Sequence, residues 1–171
     1  MLQSLSIRDV VLIDRLDLDC HPGLTVLTGE TGAGKSILLD ALGLALGGRA
    51  DSALIRAGCT QATVAAAFAL PGDSPVRALL AEQGLDADLD DGLVLRRQIG
   101  RDGRSRGFIN DAPVSARLMR DVADLMIEVD GQFAAQGLLD PRAHRDLLAR
   151  FAEAEVERAA VAEAHAGWKA A

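Results

Sequence analysis

The stretch Gly29-Glu30-Thr31-Gly32-Ala33-Gly34-Lys35-Ser36 matches G-x-x-x-x-G-K-[ST] in full. Residue types at this spacing handle phosphate. Glycines let a loop wrap closely, so that its N–H groups and the following helix N-terminus face anionic oxygens. Lys35 then neutralises β- and γ-phosphates, and the Ser36 hydroxyl ligates Mg²⁺. The flanks agree: an apolar strand, LTVLT, leads in and an apolar helix, SILLDALGLAL, leads out. The expected ligand is a nucleoside triphosphate, ATP, held with Mg²⁺ by Gly29 to Ser36 and by Ile37 behind them.

Binding does not say what becomes of the phosphate. Hydrolysis needs an Asp for Mg²⁺ at the end of a second apolar strand, and a group that orients water. Leu125 to Asp130 offers such a run, though Glu128 interrupts it and Gly131-Gln132 follows in place of an acid. A second cluster is basic: Arg96, Arg97, Arg101, Arg104 and Arg106 surround the sequence GRDGR, offset there by Asp102 alone. It reads as a phosphate-contacting patch for DNA, or as a solvated hairpin, or as arginines that dock an acidic surface.

Composition bounds these readings. The 171 residues carry 25 acidic and 18 basic side chains, net −7, so the surface as a whole is no nucleic-acid clamp. With no Tyr, four Phe and one Trp, a platform for stacking unpaired bases is not expected. Cys20 and Cys59 lack metal spacing, and His21, His144 and His165 are scattered. No run approaches the length of a membrane span, and the first residues lack a signal-peptide pattern. The expectation is a soluble intracellular protein with no membrane partner.

Elements must position these groups. Leu2 to Ile7 and Val10 to Cys20 read as β segments, and Leu24 to Thr28 as a short buried strand before the loop. A helix is expected from Lys35 to about Leu46, ended by Gly47-Gly48. Ala62 to Leu70 is a strand, and Ser74-Pro75 caps a helix that runs to Gly84. Leu93 to Ile99 and Ser105 to Ile109 form a hairpin, and Ser115 caps a helix to about Asp124. Asp140-Pro141 opens a last helix with no stop signal to Ala171. Along it Phe151, Ala154, Arg158, Val161, His165 and Trp168 make an imperfect heptad seam, or one face of an Ala-rich surface helix. The class is α/β with an antiparallel portion.

Together, MLQSLSIRDVVLIDRLDLDCHPGLTVLTGETGAGKSILLDALGLALGGRA, DGRSRGFIND and VDGQFAAQGLLDP resemble the RecN family, bacterial double-strand-break repair ATPases of the SMC branch of the ABC superfamily. The likeness runs from Met1 to about Phe151. It implies a P-loop NTPase fold of the ABC/SMC head type with a mixed sheet. Residues 1–140 would be the N-terminal lobe of the head and 141–171 the start of a coiled coil. Gly29 to Ser36 becomes Walker A. Gln132 becomes the Q-loop glutamine that reaches Mg²⁺ and the attacking water, with Gln136 as the other choice, since GQFAAQ stands where the family commonly has His-rich sequence. Arg56, in LIRAG, resembles a basic residue near the phosphates of SMC heads.

The resemblance further implies partners. These are the C-terminal lobe of the same polypeptide, a second head across sandwiched ATP, and double-stranded DNA or its ends, in the bacterial cytoplasm at the nucleoid. The signature motif, Walker B Asp and catalytic Glu would lie in the other lobe, leaving this chain with half of a composite ATPase site. Asp130 would then lead into the Q-loop. Three rival readings stand beside this one: a self-contained P-loop NTPase or kinase that uses Asp130, a nucleotide-gated scaffold without turnover, and a DNA-binding module whose P-loop is incidental.

Overall fold

Period-two burial of aliphatic side chains builds the sheet. The computed structural model describes residues 1–29, 34–85, 89, 92–127, 148–149, 151–152 and 154–170. Two compact units, Met1–Ile127 and Glu128–Ala171, divide the chain. The first holds six strands: β1 (Leu2–Val10), β2 (Ile13–Asp19), β3 (Gln61–Phe68), β4 (Leu93–Gly100), β5 (Ser105–Ile109) and β6 (Ala112–Val114). Their order is β2-β1-β3-β4-β5-β6, and every pairing is antiparallel.

One face of the sheet is the core. Leu5, Ile7 and Val10 of β1, Val64, Ala66 and Phe68 of β3, Leu93, Leu95 and Ile99 of β4, and Ile109 of β5 are all buried. Three helices cover them: α1 (Lys35–Ala45) with Ala41, Leu44 and Ala45, α2 (Pro75–Glu82) with Val76 and Leu80, and α3 (Ala116–Asp124) with Met119, Val122 and Ala123. Each large aliphatic side chain taken fully from water contributes about 1.5–3 kcal/mol. Ser74 and Ser115 cap α2 and α3, accepting from Val76 N and Leu118 N.

Gly47 fixes how closely α1 approaches α3. Its φ is +90°, and a Cβ there would stand 2.6 Å from Ala116 O and 2.9 Å from Arg120 N, so only glycine fits. Beyond α1, Asp51 caps a single 3-10 turn, Ser52–Leu54, and Val10 bridges to Ile55. That anchors the long connection between β2 and β3 at the end of the sheet.

The structure departs from the sequence reading in four places. Leu24 to Thr28 is not a buried strand: no ladder among the described residues includes it, and Leu24, Val26 and Leu27 are 92%, 66% and 52% exposed. A strand buried on both faces needs neighbours on both sides, and this segment pairs with none of the described strands. Val10 closes β1 and does not open β2, because Val11, at φ 48°, turns the chain. The third departure is β6, joined to β5 through Asn110 and Asp111. Both have positive φ, as a two-residue hairpin of the primed type requires.

The fourth concerns the last helix. In the second unit the described helix is α4 (Glu155–Ala170), and the chain is not continuously helical before it. Ala154 N–H donates to Ala149 O, an i to i−5 bond that closes the preceding turn. Phe151, Val161 and Trp168 are exposed, and the Trp168 ring stands 5.8 Å from that of His165. The expected helix start at Asp140-Pro141, and the boundary at residue 140, lie outside the described residues.

The edge strand β2 is clamped by one carboxylate. Asp17 accepts from Ser6 Oγ at 2.7 Å, from Arg8 Nη2 at 2.7 and 2.9 Å, and from Arg15 Nε at 3.3 Å. The Ser6 hydroxyl first, and then the Arg8 guanidinium, hold its carboxyl at about 2, down from 3.8. A depressed carboxylate stabilises the fold above its unfolded pKa and loses that contribution as pH falls through the folded value. Asp17→Asn is therefore expected to lower the urea midpoint at neutral pH, with the gap to the parent narrowing as pH falls from about 4 towards 2.

Candidate functional site

The P-loop sequence sits at the N-terminus of α1, as its apolar flanks require. Gly34 takes the N-cap position with φ 91° and ψ 2°, a left-handed conformation that favours glycine over any L side chain. No side chain caps the helix start, and its first turn holds no acidic residue that would repel an anion. The N–H groups of that turn thus face outward beside the positive end of the helix dipole, which suits a phosphate. Lys35 Nζ donates to the carbonyl of Gly29, folding the lysine back across the loop. Ser36 is exposed and Ile37 half-buried. Glu30 to Ala33 lie outside the described residues.

These observations fit a triphosphate and its cation. The lysine, the hydroxyl and the helix N-terminus stand on successive residues at one end of one helix, with a glycine making the bend. Gln132, Gln136 and Asp130 all lie outside the described residues. Arg56 is anchored elsewhere: its Nη1 is 3.0 Å from Asp14 Oδ1, and its backbone carbonyl accepts from Arg101 Nη2 at 3.2 Å. It belongs to the end of the sheet where Val10 meets Ile55.

The five arginines do not form one patch. Neighbours along a strand point to opposite faces, and β4 obeys this. Arg97 is on the core side, 6% exposed. Arg96 is on the outer face, 4.1 Å above the Phe108 ring and 2.6 Å from Asp111 Oδ1. Arg101, Arg104 and Arg106 remain around the hairpin turn. Arg101 donates to the carbonyls of Cys59 and Arg56, and Arg104 Nε stands 3.5 Å from Asp102. Two of the five are thus structural or otherwise engaged, and three stay at the sheet end. Arg49 joins them across the turn, bordering the same cleft as Gly103 and Arg104; it was absent from the sequence reading because nothing local links it to the hairpin.

Arg97 is the costliest of these groups. Its Nε finds no hydrogen-bond partner among the described residues, and its Nη1 meets the Met119 sulfur at 3.8 Å. Burial lowers its pKa, and the charge of Arg120 adds to that. A buried cation facing another cation opposes folding.

The AAA domain family model matches residues 4–73, the span that holds β1, β2, the P-loop and α1. The DNA repair protein RecN of Xylella fastidiosa is 41% identical over 170 residues, covering 99% of this chain and 30% of that protein. RecN of Bacillus subtilis is 42% identical over 159 residues, 93% of this chain and 27% of that one. The chain therefore spans less than a third of the length of these relatives. A chain solved in work on ATP-driven dimerization and DNA-stimulated activation of SMC ATPases shares the fold, with TM-score 0.61, 23% identity, and coverage of 86% of this chain and 96% of that one.

Replacing Arg97 by methionine, which keeps the length and removes the charge, is expected to stabilise the fold by about 1–3 kcal/mol. Urea unfolding reads the difference; a loss of stability would show that Arg97 has a partner.

Proposed function

We propose, for a chain that belongs to the RecN family, that residues 1–140 are the ATP-binding lobe of an SMC-like DNA repair ATPase and residues 141–171 the helix leading into its coiled coil. The observation that carries this is the Lys35-Ser36 pair at the uncapped N-terminus of α1, behind a left-handed Gly34. Lys35 lies against β- and γ-phosphate oxygens when it swings from the Gly29 carbonyl. Ser36 would hold Mg²⁺, and Gln132, or Gln136, would be the second side chain to ligate it. Bound there, Mg²⁺ spreads the negative charge of the β- and γ-oxygens. The chain's own part is positioning: backbone N–H groups of the first α1 turn fix the phosphates, and Ile37 seats that turn on the core.

Turnover needs groups that this lobe does not supply. The exposed apolar segment Leu24–Leu27 supports a second lobe of the same polypeptide that completes the strand layer beneath the P-loop. The relatives' greater length leaves ample chain for it. ATP is then held between two heads in a homodimer, and its hydrolysis reopens them while DNA, or a DNA end, is engaged in the bacterial cytoplasm beside the chromosome. The SMC-type fold supports this arrangement.

In the full-length protein, Lys35→Ala is expected to weaken Mg-ATP binding by roughly 10- to 100-fold, the effect of losing one charged phosphate contact. Isothermal titration checks this. Binding that survives the substitution would contradict the assignment.

A further inference from the structure

The arginines left at the β4–β5 turn border a cleft of about 450 Å³, lined by Thr60, Gln61, Gln98, Arg101, Arg104 and Arg106. Among the described residues, Asp102 is the one carboxylate on its wall, against three guanidinium groups. Arg101 is held in place through its Nε and Nη2, which donate to the main-chain carbonyls of Cys59 and Arg56, neutral groups that do not offset its charge. Arg104 is 83% exposed and only loosely paired with Asp102 at 3.5 Å. The hydroxyl and amide groups of Thr60, Gln61 and Gln98 add neutral donors of the kind that accompany arginine at phosphates. In a chain of net charge −7, such a local excess of cations stands out.

A second cleft, of about 200 Å³, adjoins the first through Arg104 and brings in Arg49 and Ser52, with one further carboxylate, Asp51, whose Oδ1 accepts from Ala53 N. The cations therefore continue along the end of the sheet, from Arg106 through Arg104 to Arg49. Spaced cations suit a polymer with spaced phosphates better than a single ion, which would need converging donors.

This surface lies at the C-terminal end of α1, where Gly47-Gly48 leads to Arg49. The P-loop is at the other end, and the 11 residues of α1 span about 16 Å at 1.5 Å per residue. One rigid helix thus separates the two phosphate-binding ends.

We propose that this paired cleft, with Arg49, Arg101, Arg104 and Arg106 as its cations, seats backbone phosphates of double-stranded DNA. The inference rests on the reading of the chain as part of a DNA repair ATPase, and it sets aside Arg96 and Arg97. It contacts phosphates and reads no bases, so binding is independent of sequence and falls steeply with salt.

The test is fluorescence anisotropy of a duplex with the full-length protein, over a salt series, beside Mg-ATP titration. Arg104→Gln with Arg106→Gln is expected to weaken duplex binding by about tenfold or more and to make the slope of log K against log salt shallower by about two. Mg-ATP binding stays within about twofold of the parent, which also reports an intact fold; Arg104→Lys with Arg106→Lys keeps duplex binding. Unchanged duplex affinity and salt slope in the glutamine variant would overturn the proposal. So would an equal loss from Arg117→Gln on α3, which would make the binding diffuse. Arginine-dependent binding of tripolyphosphate without duplex would assign the cleft to a free polyphosphate instead. Failure of the nucleotide reading would show separately, as ATP binding indifferent to Lys35→Ala.

Discussion

Among the described residues, the segment that leads into the P-loop has no strand beside it. Leu24, Val26 and Leu27 face solvent, and no described ladder includes their backbone. Peptide groups can leave water only when they are hydrogen-bonded, and a strand buried on both faces takes those bonds from neighbours. The phosphate site depends on this requirement, because the loop that forms it starts from this segment. The P-loop connects this segment to α1, so the geometry of the phosphate site is fixed at one end by a helix packed on the core and at the other by chain still to be paired.

What is built within the first unit is the support for α1. Six antiparallel strands bury an aliphatic face, and α1 lies on it through Ala41, Leu44 and Ala45, backed by α3 where Gly47 permits close approach. α1 therefore links Lys35 at its N-terminus to the Gly47-Gly48 segment that leads to Arg49. Under the proposed reading, nucleotide sits at one end and DNA phosphates at the other, and the missing strands close the site from the side of Leu24. Half of an ATPase site on one lobe, and half elsewhere, follows from that division.

Much of this was legible in the residues. The P-loop announced itself by motif and flanks; Ser74-Pro75 and Ser115 marked two helix starts because capping is a local interaction. The GRDGR hairpin followed from its glycines and alternation. Leu24–Thr28 misled because an apolar run states a preference for burial and says nothing of where its neighbours are. The β6 strand was not read from the sequence, although Asn110-Asp111 suits a primed turn; Pro113 is tolerated there because β6 lies at the sheet edge. The arginines were grouped by closeness in sequence, whereas period two sends Arg96 and Arg97 to opposite faces, and Arg49 arrives from about 50 residues away through tertiary structure. Gln132, Gln136 and Asp130 stand as the residues a complete site would have to place.

The most direct measurement is steady-state ATP turnover by this 171-residue chain, once circular dichroism and Mg-ATP titration show it folded and able to bind. It is made alone, and then with the remaining segment of the full-length protein added. The account predicts no Lys35-dependent turnover alone, and turnover restored on addition. Lys35-dependent turnover by the chain alone would contradict it, and would return Asp130 as the metal ligand of a self-contained site.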